Sequence, residues 1–423
     1  MTRKLDLRTG RPVWSAYRAP RPEAASLSRD VKADVAIVGM GISAAMIADS
    51  LSQAGLSVIL IDRRGPLLGS TPATTALVQH EIDQPLSTLS RRIGKDRAER
   101  AWRRSRLAVG NLAARIAELG IDCRLAERPS LYLAGNLLAP DALRAEGEAR
   151  NAAGLYGAYL TAGELKQRFG IERKAALLSY GNLALDPRRL TAGLLIAATG
   201  RGARLYAPVE ATGYESHRDG VSIVTKDGPT ISATAGILAT GYELADIVPR
   251  DGHRIISTYA IATRPQPRAI WPEAAFMWEA SDPYLYLRAT HDGRIICGGE
   301  DEDFSDEVAR DALIADKSQR IAASLGRLLP GVDATPDYAW AGAFGTTPTG
   351  LPLIGPVPGR RGFHAVLGYG GNGITFSRIA AELMTAALTG RADRDADLFA
   401  LNRADRNSRT GFHELFPPRL PPT

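Results

Sequence analysis

The apolar positions change period several times along the chain, and each change marks an element. Residues 35–38 form a short apolar run rich in β-branched side chains, the pattern of a buried parallel strand. From Ile42 the spacing becomes helical, with Ile42, Met46, Ile47 and Leu51 on one stripe and Gly55 just past its end. A second apolar strand, 58–61, ends at Asp62. Helical spacing returns over 84–120, where Leu107, Leu112, Ile116 and Leu119 are apolar, and again near 140–153. Asp186-Pro187 is a start signal for a helix reaching Arg201. Short strands are predicted at 130–134, 203–206, 209–216, 221–225 and 236–239, and more over 253–298. Of these, 221–225 alternates apolar and polar, which suits a half-exposed antiparallel strand. A long helix near 305–327, a strand at 363–367 and a helix over 374–388 complete the pattern. Residues 1–32 read as an extended arm with Trp14 and Tyr17 as anchors, and the Pro-rich 411–423 as a loose tail. The alternation is α/β, with an antiparallel portion in the third quarter.

Composition narrows the class. At 423 residues, two intertwined domains are the natural expectation. No run of 18 apolar residues exists, so no transmembrane segment is expected. The polar stretch 1–21 has no apolar signal segment. The two cysteines, Cys123 and Cys297, make no disulfide framework, and no Cys/His cluster has metal spacing. A cytoplasmic protein with reduced thiols and no metal site is the expectation. The net charge is +6, and seven of the 52 basic residues are Lys, leaving 45 Arg (52 − 7). The densest cluster, 91–106, holds eight basic and two acidic residues. It reads as a solvated helix face rather than a nucleic-acid surface, because only Trp102 interleaves with the charges.

The strand–turn–helix at 35–53 carries the first chemistry. Gly39, Met40, Gly41, Ile42, Ser43 and Ala44 spell G-x-G-x-x-A, a form of the dinucleotide fingerprint. Gly39 allows the tight turn, Gly41 lets a pyrophosphate approach the backbone, and Ala44 lets helix and strand pack closely. The helix start offers unpaired N–H groups and the positive end of its dipole. Asp62 ends the next strand, where a carboxylate accepts ribose hydroxyls and disfavours a 2′-phosphate. The fingerprint alone leaves FAD and NAD both open.

Five stretches extend the picture: V-A-I-V-G-M-G-I-S-A at 35–44, G-S-T-P-A-T-T-A-L-V-Q-H-E-I-D at 69–83, I-L-A-T-G-Y-E at 237–243, Y-L-Y-L-R-A-T-H-D-G-R-I-I-C-G-G at 284–299, and T-P-T-G-L-P-L-I-G-P with G-Y-G-G-N-G-I-T at 347–356 and 368–375. In order and spacing they resemble the D-amino acid oxidase family of FAD-dependent oxidoreductases, the group that includes glycine, sarcosine and γ-glutamylputrescine oxidases. The resemblance covers 13–400. It implies a Rossmann-like FAD-binding domain (33–90, 171–250 and 336–410) interwoven with an antiparallel-sheet α+β substrate domain (91–170 and 251–335). It also implies non-covalent FAD. Beyond the fingerprint and Asp62, the cofactor would meet Arg63, Ser70, Thr71, Thr74, Thr75 and Ala76 in the following loop. The backbone of Val209 would meet the adenine, and Ala239, Thr240 and Gly241 would pass close by. Gly370, Gly371, Asn372, Gly373 and Ile374 would aim N–H groups at the flavin, where reduction places negative charge.

The implied activity is removal of a hydride from the carbon next to an amine nitrogen, with a small-molecule amine as substrate. The acceptor would be O2, a quinone or a partner protein. Alternatives are a flavoprotein subunit that passes electrons to a partner, and oxidation of an aminomethyl-type group on tRNA. Tyr284 and Tyr286 share a strand face and either line an amine pocket or fill the core. His80 and Arg288 are further pocket candidates, against structural roles for each. The sequence also departs from the pattern. Phe344 and Gly371 stand where glycine oxidases hold the substrate carboxylate with arginine. The region before T-P-T-G lacks the cysteine that links flavin in sarcosine oxidases, and Ile296 takes the place of their flavin-side lysine.

Overall fold

The computed structural model describes residues 6–403, so the tail predicted at 411–423 lies outside the described residues. Two sheets organise the chain. The smaller has eight strands with a parallel centre in the order Thr230–Leu238, Val31–Val38, Val58–Ile61, Arg204–Tyr206. Phe363–Leu367 continues it in parallel beyond Thr230–Leu238, and Leu353–Pro356 closes that edge antiparallel. Alternate residues of the central strands serve two cores, as a strand buried on both faces requires. Val35, Ile37, Val58 and Leu60 meet the helices. Ala36, Val38, Ile59 and Ile61 meet the hairpin of Ala211–His217 and Gly220–Thr225. In that hairpin Val221, Ile223 and Thr225 point inward, which is the alternation predicted at 221–225.

The helix Ile42–Gln53 packs against both Pro187–Gly200 and Gly373–Leu388. It is therefore buried nearly all round rather than along one stripe. Asp49 is drawn inside with it. Its carboxylate accepts two hydrogen bonds of 2.8 Å from Arg115, and Arg201 pairs with it as well. Removing both guanidiniums would strand a buried charge, at about 3–5 kcal/mol or more.

The larger sheet has ten strands. Its order is Arg8–Gly10, Pro336–Thr346, Arg254–Thr263, Ile295–Glu302, Leu285–Ala289, Phe276–Glu279, Ala126–Leu133, Ala175–Ala184 and Leu77–Val78, with Ala158–Thr161 also on Ala175–Ala184. Every pairing is antiparallel except Phe276–Glu279 with Ala126–Leu133. The segments 171–250 and 336–410 thus contribute strands to both sheets. One face packs Leu131, Met277, Leu287, Cys297 and Ile261 against Ile321, Leu325 and Leu328 of the helix Ile314–Leu328. The other face turns toward the smaller sheet.

Two predicted helices divide. The 84–120 pattern breaks at Gly94, whose φ of 88° is a glycine conformation, into Leu86–Ile93 and Lys95–Glu118. The 305–327 pattern breaks at Leu313 into Glu307–Ala312 and Ile314–Leu328. Much of the 91–106 arginine cluster is ion-paired within the chain: Arg97 and Arg100 hold Asp397, Arg100 also holds Asp395, and Arg104 holds Glu382 and Asp393. The arm is anchored as well. Trp14 is buried and donates to the Thr74 carbonyl at 2.6 Å, and Tyr17 donates to Asp292 at 2.7 Å. Among the described residues no helix is long and apolar enough to cross a membrane.

Candidate active site

A single cavity of about 690 Å³ runs between the two sheets. One end is formed by the strand ends of the smaller sheet. Gly39 sits there at φ 121°, and a Cβ on it would collide with the Ala239 carbonyl, so only glycine lets the two strands end side by side. Gly41, Ile42 and Ser43 line the cavity, and the first N–H groups of the helix open toward it. Thr71 Oγ1 accepts from the Ile42 N–H at 3.1 Å and ties the following loop over the turn. A Cβ at Gly41 would lie 3.2 Å from that same oxygen and fill the gap between turn and loop.

The Asp62 carboxylate fixes this end. Oδ2 accepts from Met40 N at 3.0 Å, and Oδ1 accepts from Arg64 N at 2.7 Å and Gly65 N at 3.0 Å. The Asp62 carbonyl in turn accepts from Val209 N at 2.8 Å. Arg63 and Arg64 both pair with Glu243, and that carboxylate raises the Arg64 guanidinium above its ordinary range. Ser70, Thr71, Thr74 and Thr75 line the next part of the cavity, opposite Ala239, Thr240 and Gly241.

The glycine turn Gly370–Asn372 closes the middle of the cavity and opens the helix Gly373–Leu388. Asn372 donates to the Glu81 carbonyl at 2.7 Å, and Thr375 donates to the Gln79 carbonyl at 2.8 Å, so the turn is pinned to the segment that follows the strand Leu77–Val78. Ser377 meets Ser43 at 2.7 Å, which joins the starts of the two helices. Asn372 Oδ1 is buried and has no partner among the described residues.

The far end is a face of the larger sheet. Strand register places Tyr132 beside Trp278, Trp278 beside Tyr286, and Tyr286 beside Gly298. The first two rings stack at 3.7 Å. A Cβ at Gly298 would run into the Tyr286 hydroxyl, so this glycine makes room for the phenol. Tyr284 stacks on Tyr286 at 5.8 Å and donates to Asp301 at 2.7 Å. Burial, with Asp301 adding to it, holds both phenols well above their ordinary range, so they stay protonated donors. Asp83 accepts from Gly371 N at 2.7 Å. Its side chain lines the cavity and is exposed there, and the protein packed around it, with the Asp301 charge, pushes its carboxyl up to about 6.

The model of the FAD dependent oxidoreductase family matches residues 34–387. The chain belongs to that family. It is 26% identical to glycine oxidase of Geobacillus kaustophilus over 397 residues, covering 88% of this chain and 97% of that one. It is 24% identical to γ-glutamylputrescine oxidoreductase of Escherichia coli over 393 residues, covering 89% and 88%. The glycine oxidase crystal structure superimposes with a TM-score of 0.73 over 88% of this chain and 99% of the other, and that of L-proline dehydrogenase from P. horikoshii reaches 0.73 over 89% and 99%. The chain is an FAD-dependent oxidoreductase, and its fold is theirs.

The residues present fit FAD. The Gly41 cradle, the free N–H groups of the first helix and the buried, unpartnered Asn372 Oδ1 all belong to one cavity long enough to reach both sheets. Most sequence-predicted positions line it. Met40, Ala44 and Ala76 do not: they are buried behind it, the first with its N–H on Asp62. Val209 lines the cavity, but its N–H is already taken by the Asp62 carbonyl.

Two pocket candidates are corrected. His80 does not line the cavity. Leu77 and Gln79 do, but His80 lies past the end of the strand Leu77–Val78 and is buried against Asn182. Its Nδ1 is 2.9 Å from Asn182 Oδ1, and burial lowers its pKa, so it is a neutral core residue. Arg288 shares a face with Tyr286 but lies beyond the end of the cavity. Its guanidinium donates to the carbonyls of Ala76 at 2.5 Å and Leu185 at 3.1 Å, and burial lowers it to about 10. Sequence reasoning missed Asp83, Asp301, Tyr132, Trp278 and Tyr369. The signal for Asp83 was its place at the end of the quoted 69–83 stretch. Tyr369 likewise lies in the quoted 368–375 stretch, while Asp301, Tyr132 and Trp278 became visible only through strand pairing.

Proposed function

We propose that this enzyme takes a hydride from the carbon next to an amine nitrogen, and that it prefers amines or bulky amino acids to glycine or sarcosine. FAD, when bound, supplies the two-electron chemistry. Gly39, Gly41 and the helix start would hold its pyrophosphate, and the Gly370–Asn372 turn would face its ring. The chain's own residues shape the substrate. Tyr132, Trp278 and Tyr286 offer ring faces to a cation. Tyr284, whose hydroxyl donates to Asp301, offers with it two oxygen acceptors to an ammonium N–H.

The observation that carries this reading is the charge of the substrate end. Phe344 and Gly371 both line the cavity where an arginine pair would hold a carboxylate, and Asp83 and Asp301 line it beside them. Such a wall favours ammonium over carboxylate. Neither cysteine lines the cavity: Cys297 lies on the opposite sheet face and Cys123 is buried elsewhere, which supports a non-covalent cofactor. Acid precipitation should then leave a yellow supernatant, and flavin kept in the pellet would contradict this.

Among the described residues no lysine lines the cavity, and Lys317 is held by Glu300 and Glu302. With no lysine to stabilise a forming superoxide, a quinone or a partner protein is the proposed electron acceptor. The test is kcat/KM over mono- and polyamines and over small amino acids, run in air and again with an artificial quinone. Amines are expected to lead, faster with the quinone. A clear preference for glycine would overturn the substrate reading, and equal rates in air would overturn the acceptor.

A further inference from the structure

We propose that Asp83 binds the substrate's ammonium group and takes up the proton that the amine nitrogen must lose before its neighbouring carbon can give up a hydride. This rests on the amine reading above and assigns the residue that reading lacks.

Geometry comes first. Asp83 ends the segment that Asn372 and Thr375 pin through the Gln79 and Glu81 carbonyls. Its Oδ2 accepts the Gly371 N–H at 2.7 Å. A Cβ on Gly371 would lie 2.6 Å from Oδ1, and one on Gly370 would lie 2.9 Å from Oδ2. Two consecutive glycines therefore let the carboxylate sit flush against the turn that faces the flavin. An arginine at position 371 would have to displace it. The missing arginine and the present aspartate are thus one feature: this spot has changed the sign of its charge.

The surroundings leave that charge waiting for a cation. Across the cavity stand Asp301 with Tyr284, and Tyr132 beyond the strand Phe276–Glu279; the glycine turn brings no titratable group. On Asp83's own segment, His80 and Glu81 are turned to Asn182 and Ser179. Arg92, which also lines the cavity, donates to the Pro348 carbonyl. No cationic side chain bonds Asp83 among the described residues. Asp83 is exposed on the cavity wall, where a cation can reach it, and the protein packed around it, with the Asp301 charge, lifts its carboxyl to about 6, so it can both pair with a cation and keep a proton near neutral pH.

The step balances. One N–H bond of R–CH2–NH3⁺ breaks and its proton goes to Asp83 Oδ1, while Oδ2 keeps the Gly371 N–H. The freed lone pair then assists loss of hydride from the adjacent carbon to the cofactor. Water hydrolyses the resulting iminium to a carbonyl compound and ammonium.

The test uses Asp83→Asn, whose amide oxygen can still accept the Gly371 N–H, and Asp83→Glu as the charge-keeping control. Butyltrimethylammonium, a cation that cannot lose a proton, is titrated calorimetrically into the holoprotein from pH 5 to 8. The parent should bind it about tenfold or more tightly than Asp83→Asn at pH 8. That advantage should fade as pH drops through about 6, and Asp83→Glu should recover part of it. With the best amine of the panel, Asp83→Asn should lose about 10²-fold or more in kcat, and the acid limb of its kcat/KM profile should change. Equal cation binding, or unchanged kcat and pH profile, would overturn the proposal. A parent that oxidises no amine at all would instead sink the amine reading, while the cation titration would still decide whether Asp83 binds ammonium.

Discussion

At the nucleotide end of the cavity, the working groups are backbone: N–H groups of the first helix, strand ends brought together by Gly39, and a carboxylate, Asp62, whose three bonds all go to backbone N–H groups. At the substrate end they are side chains: stacked rings, two phenols and two carboxylates, drawn from separate strands and turns. The first end suits the FAD for which the family is named. The second can be rewritten one residue at a time without disturbing the sheet beneath it, because its other face, Leu131, Met277, Leu287 and Cys297, keeps the core. Substitutions at the two ends should therefore fail differently.

The largest effect is expected from Asp62→Ala. It removes a charged acceptor from three backbone donors and the carboxylate expected at the ribose. Losing a bond to a charged group costs about 1.5–3 kcal/mol, or roughly 10- to 150-fold in affinity. FAD titration of the variant beside the parent measures this, and the relative order of amine substrates should stay the same. Equal FAD affinity would remove Asp62 from the nucleotide end.

Arg288→Met should come next. The substitution strands the buried carbonyls of Ala76 and Leu185 and loosens the loop below Thr75, at about 1–3 kcal/mol of stability. Chemical denaturation measures that loss. The ratio of amine to glycine turnover should not move, because the guanidinium is outside the cavity. A changed ratio would return Arg288 to the substrate end.

The same division explains what the sequence disclosed. The nucleotide end is local: strand, glycines, helix and Asp62 all fall within 34–62, and the predicted strand at 58–61 forms as Val58–Ile61. The strand at 363–367 and the turn after it are local in the same way. The substrate end has no such contiguity. Tyr132, Trp278 and Tyr286 become neighbours only through two strand pairings, one of them parallel, and no spacing along the chain encodes that register. His80 shows how fine the distinction is. It lies within a stretch that does reach the cavity, but its own side chain is buried against Asn182. Asp49 shows the other limit. A polar residue on a helix reads as solvent-facing until Arg115 and Arg201 arrive from elsewhere to cover it.

The smallest effect separates the two ends by pH. Asp83 has an ordinary carboxyl value of 3.8 and a folded value of about 6. Below the first it is protonated whether or not the chain is folded, and above the second it is ionised in both. Between them the folded chain holds the extra proton, so its stability falls as pH rises through that window. The carboxylate is open to the cavity, which screens much of this, so the residual effect is a melting shift of about 2 °C. Asp83→Asn removes the titration. It should melt level with the parent at pH 4 and above it at pH 7.5, and butyltrimethylammonium should close the gap at pH 7.5 by stabilising the parent alone. Asp62, held by three backbone donors at the other end, has no such vacancy for a cation, and Asp62→Asn should still be stabilised by butyltrimethylammonium at pH 7.5. Thermal melts of the three proteins at the two pH values decide it. A gap between Asp83→Asn and the parent that does not widen with pH would mean that Asp83 carries no excess burial cost, and that the two ends do not differ in charge demand.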